Sequence, residues 1–257
     1  MKVVILAGGF GSRLAEETDV RPKPMIEVGG MPVIWHIMKM FDHYGLRDFI
    51  IALGYRGDMI KSYFKNFAKN HSHVRVDLST GDVSYTDYHA LNWRIDLVDT
   101  GQATLTGGRL KRLEPFIGNE PFVVAYGDGV SDLDIGGLVD FHKAHGKIAT
   151  LTAVRPTARF GHVEFEGDRV REFSEKPQTA EGWINGGFFV FNSTIFDYIE
   201  GDYVDLSREP LERLTREQEL MAFKHYNFWQ CMDTLREKFI LESLWESRNP
   251  PWKTWKD

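Results

Sequence analysis

The chain has one cysteine, Cys231, in 257 residues. A single thiol cannot close an internal disulfide or build a cysteine-based zinc site, so a reducing compartment is expected. No apolar run is long enough to cross a bilayer as a helix. The first residues read directly as a strand, with neither a charged leader nor a small-residue cleavage site. The expectation is a cytoplasmic protein without membrane contact. Ser/Gly-rich linkers, internal repeats and low-complexity segments are also missing, which favours one domain over residues 1–257. Nor is there a surplus of positive charge. Lys and Arg number 31 against 37 Asp and Glu, a net charge of −6. That excludes a general nucleic-acid binder, which carries a basic face, but leaves room for a local cationic pocket.

What is present describes an ordinary globular chain, 42% hydrophobic and 26% charged. Strand-like and helix-like segments alternate from the start. "KVVILAG" is a buried strand, and "PVIWHIMKMFDHYG" places Val33, Ile34, Ile37, Met38 and Phe41 at helical spacing, with Gly45 as its stop. "DFIIALG" and "GDMIKSYFKNF" repeat the pattern. Two βα units in succession predict a largely parallel sheet with helices on both faces. Residues 71–93 interrupt the rhythm: "VRVDLSTGDVSYTD" alternates apolar and polar positions about a turn and reads as a hairpin-like excursion. "GGRLKRLEPFIG" is amphipathic, "PFVVAYGDG" a strand and "IGGLVDFHKAHG" a helix. The second half has more antiparallel character, with "HVEFEGDRVREFSEKP" forming two strands about a Glu-Gly-Asp turn and "INGGFFVFN" another.

The stretch from Leu6 to Met25 carries the chemistry. Glycines at the end of a parallel strand let backbone N–H groups approach an anion that a Cβ would hold away. The dinucleotide fingerprint fails because Gly9-Phe10-Gly11-Ser12-Arg13 is followed by Leu14, and the P-loop fails because no Gly-Lys-Ser/Thr follows. What remains is a glycine loop with a guanidinium beside it, Arg13, and a lysine, Lys23, stiffened between Pro22 and Pro24. A tight turn beside a surface arginine would explain the glycines alone; the two added cations favour a phosphate site.

Two carboxylates complete the pattern. Asp128 follows an apolar strand and so projects at the carboxyl edge of the sheet, where open α/β folds bind ligands. Asp233 follows the strand-like "FWQCM". Each alone reads as readily as a cap or turn former. Two carboxylates joined by phosphate oxygens of a ligand are the kind of oxygen donor set that Mg²⁺ favours, with few ligands from protein. The histidines lack ligand spacing and are assigned no chemistry.

"LAGGFGSRL" followed by "RPKPM" resembles the signature of the sugar-1-phosphate nucleotidylyltransferases. The resemblance runs over nearly the whole chain, through "YGDG", "EFSEKP", "NGGFFVF" and "WQCMDTLRE". Blocks such as "RPKPMIEVGGMPVIWHIMK" and "GYRGDMIKSYF" are similar to those of members that use CTP and glucose 1-phosphate. The chain departs slightly, reading Asn227-Phe228-Trp229 and carrying Ser12 where many relatives have threonine. Neither change alters a charge that the chemistry requires.

The resemblance implies a Rossmann-like mixed, mainly parallel sheet and Mg²⁺-assisted transfer of CMP from CTP to α-D-glucose 1-phosphate. CDP-glucose and pyrophosphate would be the products. It implies Arg13 and Lys23 as catalytic cations and a nucleotide site from Leu6, Ala7, Gly8, Gly9, Phe10, Gly11, Ser12 and Gly127. Thr104, Gly108 and Arg109 in the second glycine-bearing turn lie beside the nucleotide by the same analogy. Glu175, Lys176, Asn185 and Gly186 are implied at the sugar phosphate, and Asp128 and Asp233 at the metal. It also implies a homo-oligomer, such as a hexamer, with residues 71–93 as a contact element, and a place in making CDP-linked sugars for a surface polysaccharide. The cytosine preference rests on resemblance alone. UTP or dTTP in the same reaction, or a noncatalytic sugar-nucleotide-binding subunit, stay open as alternatives.

Overall fold

A computed structural model describes residues 1–11, 14–86, 91–156, 162–174 and 182–256. In chain order, β1 (Val3–Leu6) leads through α1 (Ala15–Thr18) and a 3₁₀ turn at Lys23–Met25 to the small ladder β2 (Glu27–Val28) and β3 (Met31–Pro32). Next come α2 (Val33–His43), β4 (Asp48–Leu53), α3 (Gly57–Lys65) and α4 (Phe67–Asn70). The hairpin β5 (His73–Asp77) and β6 (Asp82–Thr86) precedes β7 (Arg94–Asp99), α5 (Thr106–Arg112) and α6 (Glu114–Ile117). The central stretch holds β8 (Phe122–Tyr126), β9 (Gly129–Ser131), α7 (Ile135–His145) and β10 (Ala149–Val154). A second hairpin, β11 (His162–Glu166) and β12 (Arg169–Ser174), is followed by β13 (Ile184–Phe191) and α8 (Glu209–Arg216). The chain closes with β14 (Leu220–His225), β15 (Trp229–Cys231) and α9 (Leu235–Glu246).

Among the described residues a seven-stranded sheet runs in the order β14-β10-β13-β8-β1-β4-β7. Pairs β1–β4, β1–β8, β4–β7 and β10–β14 are parallel, whereas β13 is antiparallel to both β8 and β10. The fold is thus the expected mixed, mainly parallel α/β sheet. Alternate residues of β1 face opposite layers: Val3 and Ile5 join the core under α2, α3 and α7, and Val4 and Leu6 the core under α5, α6 and α8. Burial on both sides is why these strands read as continuous apolar runs.

Most elements fall where hydrophobic period and stop signals put them. Val33, Ile34, Ile37, Met38 and Phe41 are the buried face of α2, and Gly45 ends the turn after it at a φ of 76°. The amphipathic segment 107–118 differs, because it breaks at Leu113 into α5 and α6. Pro115 lacks the N–H a continuous helix needs and crowds the preceding turn. The hairpin-like excursion expected over 71–93 contains the β5–β6 ladder at 73–86, which has both faces exposed.

The reversal of β13 shapes the site. Asn185 pairs with Ala153 near the carboxyl end of β10, and Phe188 pairs with Ala125 of β8. The start of β13 therefore reaches the same sheet edge as the end of β8. β15 pairs with β9, and Met232 N donates to Asp128 O at 2.9 Å, which brings residue 233 beside residue 128.

Candidate active site

The glycine loop leaves the end of β1 and is pinned along its length. Ala7 N donates to Ala52 O at 3.1 Å, Tyr55 N to Gly8 O at 3.2 Å and Thr18 Oγ1 to Gly11 O at 3.1 Å. Phe10 stands exposed and packs on Tyr55, with ring centroids 5.3 Å apart. Behind the loop lies Arg109, only 4% exposed. Its guanidinium donates to Gly8 O at 2.9 Å, Gly101 O at 2.6 Å, Leu53 O at 3.1 Å and Thr100 Oγ1 at 2.9 Å. A Cβ on Gly8 would collide with that guanidinium. A cavity of about 320 Å³ opens over the loop and is also lined by Lys23, Thr104 and Gly127.

At one end of this cavity stands a charged cluster. Lys23 Nζ donates to Asp128 Oδ2 at 2.6 Å and also to Asp233 Oδ1. Its side chain is 11% exposed. Burial opposes the charge on Lys23, but Asp128 and then Asp233 outweigh it and the ammonium pKa is raised. The cluster's geometry comes from neighbouring elements. Asp128 lies two residues past the end of β8, and Asp233 N donates to Glu237 Oε2 at 2.7 Å at the capping box that starts α9. No group of three His, Cys, Asp or Glu among the described residues forms a complete metal cage. The pair instead converges on one cationic atom.

Beyond Asp128 lies a larger cavity of about 770 Å³ whose lining includes Asn185, Gly186, Trp229, Asp233 and Arg236. Tyr126 and Asp128 line both cavities. Trp229 Nε1 donates to Gly186 O at 2.8 Å, and Gly187 N donates to Asn185 Oδ1 at 2.9 Å, so the start of β13 is held in shape. Cys231 also lines this cavity, where burial and the nearby carboxylates push its thiol up to about 12. A thiol kept in its protonated form is a poor nucleophile.

Of the residues singled out from sequence, Leu6, Ala7, Gly8, Gly9, Phe10, Gly11, Lys23, Thr104, Arg109, Gly127 and Asp128 line the smaller cavity. Asn185, Gly186 and Asp233 line the larger one. Ser12, Arg13, Glu175 and Lys176 lie outside the described residues. Gly108 is the misplaced member. A Cβ there would meet the Asp202 backbone at 2.5 Å, so the glycine lets α5 approach residue 202 and does not line the cavity. The Arg109 guanidinium is committed to protein acceptors, which makes it a clamp behind the loop and not a hand held out to a ligand. Tyr126, Trp229 and Arg236 were not foreseen. Arg236 carried a legible signal, a cation in the first turn of a helix, where the macrodipole disfavours it.

A glycine loop at a strand end, a lysine bridging two carboxylates and paired cavities meeting at that bridge define a phosphate-handling transferase site. The chain belongs to the nucleotidyl transferase family, whose model matches residues 2–257. It is 51% identical to the glucose-1-phosphate cytidylyltransferase of Salmonella typhi over 99% of this chain and 100% of that one. The glucose-1-phosphate cytidylyltransferase of Salmonella typhimurium matches at the same identity and coverage. Among solved structures, HddC from Yersinia pseudotuberculosis superposes with a TM-score of 0.69 at 22% identity, covering 95% of this chain and 99% of that one. That last likeness is one of fold.

Proposed function

We propose that the chain transfers CMP from CTP to α-D-glucose 1-phosphate, releasing pyrophosphate and forming CDP-glucose. The observation that carries this reading is the pair of cavities meeting at Lys23, Asp128 and Asp233. One has bare backbone for a nucleotide, and the other has polar groups on a strand start for a sugar. The choice of cytosine and glucose is supported by the full-length relatives at 51% identity.

The nucleophile is a phosphate oxygen, already ionised at neutral pH, so no general base is required. It bonds to the α-phosphorus of CTP as the bond from that phosphorus to the bridging oxygen breaks, and the electron pair leaves with pyrophosphate. The obstacle is repulsion between anions, and the remedy is fixed positive charge with in-line positioning. Loop amides and Arg13 hold the departing pyrophosphate, Lys23 supports the nucleotide phosphates, and Arg109 keeps the loop in shape from behind. Lys176 positions the attacking phosphate, and Glu175, Asn185 and Gly186 take the sugar. Asp128 and Asp233 would hold Mg²⁺, for which two converging carboxylates with substrate oxygens are a fitting donor set. When bound, that ion neutralises charge on the reacting phosphates.

The whole chain acts as one catalytic unit, in the cytoplasm, and assembles as a homo-oligomer. Pyrophosphate release with each nucleoside triphosphate, paired with each of several sugar 1-phosphates, tests the assignment. CTP with glucose 1-phosphate is expected to give the highest catalytic efficiency. A preference for UTP or dTTP would overturn the base assignment, and no release with any pair would favour a noncatalytic subunit.

A further inference from the structure

Lys23 Nζ sits between Asp128 Oδ2 and Asp233 Oδ1, on the two carboxylates that would hold a divalent cation. The three groups differ in what can move. Asp128 is fixed by the β8–β9 connection and the bond from Met232 N to its carbonyl. Asp233 is fixed by Glu237 and the start of α9. The backbone of Lys23 is held in a 3₁₀ turn between prolines, but its four-carbon stem keeps its torsional freedom. Two short carboxylate side chains on held backbones thus face one long donor with more torsional freedom than either. An ammonium and a divalent cation at one carboxylate pair repel each other, so sharing the pair at short range costs energy that separating them recovers.

Lys23 also lines the cavity over the glycine loop, so its stem lies within the space where nucleotide phosphates would sit. We infer that Lys23 and the divalent cation take turns at the Asp128–Asp233 pair. The ammonium holds the two carboxylates together until a metal–nucleotide complex arrives. It then exchanges them for nucleotide phosphate oxygens, leaving the pair to the metal. Every charge keeps a partner through this exchange, which a bare metal ion cannot achieve because it brings no anion for the displaced ammonium. The metal therefore enters with the nucleotide, and the nucleotide-free protein resists it. This inference rests on the assignment of Asp128 and Asp233 as the metal pair.

The test is Mn²⁺ binding to purified full-length protein, followed by paramagnetic resonance of the free ion, with and without CTP. Lys23→Met is expected to bind free Mn²⁺ at least about tenfold more tightly than the parent, the gain from removing a competing charge-assisted partner. The gain should vanish in Lys23→Met/Asp128→Asn and be missing in Lys23→Arg, which keeps a cation. Lys23→Gln repeats the measurement with a neutral donor should the methionine variant fail to fold. Free Mn²⁺ affinity unchanged or weakened in the neutral variants, or a gain that survives Asp128→Asn, overturns the exchange. If Asp128→Asn leaves Mn²⁺–CTP binding intact, the metal assignment itself falls. If it weakens that binding while the neutral variants show no gain, the exchange alone falls.

Discussion

Arg109, beside the smaller cavity, and Arg236, beside the larger, show how one residue type is put to opposite uses. Arg109 spends its donors on four backbone carbonyls and a hydroxyl. Arg236 lines the larger cavity and makes no ion pair or hydrogen bond among the described residues. Its place at the start of α9 opposes the helix dipole, so its charge serves a ligand better than it serves the helix. Arg236→Ala is expected to raise the KM for glucose 1-phosphate about tenfold, the worth of one charge-assisted contact, with little change for CTP. Steady-state kinetics in each substrate check this, and an unaltered sugar KM would make Arg236 a surface residue. Sequence legibility at this scale followed chemistry closely. Lys23, Asp128 and Asp233 stood out because prolines or strand ends framed them. Gly108 misled because a glycine-bearing turn looks alike whether its bare backbone faces a ligand or another segment, here residue 202.

At the level of elements, the start of the site is buttressed by the end of the chain. His36 of α2 is buried, its Nε2 donating to Val28 O at 2.8 Å and its Nδ1 accepting from Trp252 Nε1 at 3.4 Å. The rings of Trp35, Trp245, Trp252 and Trp255 all pack on it. Burial pushes this imidazole down from 6.5 to about 4. The unfolded chain takes up the proton near pH 6.5 while the folded one resists until about 4, so stability is lost as pH falls through that window. Between pH 7 and 5 the loss is about 2 kcal/mol from this group. Calorimetry should show Tm falling by roughly 4–8 °C from that source, and His36→Gln should shrink the fall. A pH dependence identical in that variant would acquit His36. None of this was legible beforehand. Trp252 meets a histidine more than two hundred residues away, and period carries no information about such contacts. The strands and helices themselves were legible, β1 as a continuous apolar run buried on both faces and α2 because its buried face repeats every third to fourth residue.

Across the whole molecule, the β5–β6 hairpin is the part least explained by the fold that carries it. Val74 pairs with Tyr85 and Val76 with Val83, which puts all four side chains on one face, each about half exposed. An isolated ribbon with an apolar face gains stability when that face is covered. In keeping with the proposed homo-oligomer, Val76→Lys is expected to lower the solution mass measured by light scattering. An unchanged mass would take the hairpin out of the subunit contact.

The reversed strand β13 also sets an order on how the protein comes into being. A nascent chain that has reached Asp128 already contains the glycine loop, Lys23 and the parallel strands β1, β4, β7 and β8. The outer neighbour of β8, however, is β13, whose first residue is Ile184. Until that segment leaves the ribosome, "FVVAY" of β8 is an open edge, all of it apolar and ready to pair with whatever strand is near. The partner that covers the edge also delivers Asn185 and Gly186 of the larger cavity, and Asp233 follows later still. The emerging chain is therefore stickiest while β8 is made and β13 is not. It ceases to be so through the same strand pairing that brings Asn185 to the sheet edge beside Asp128.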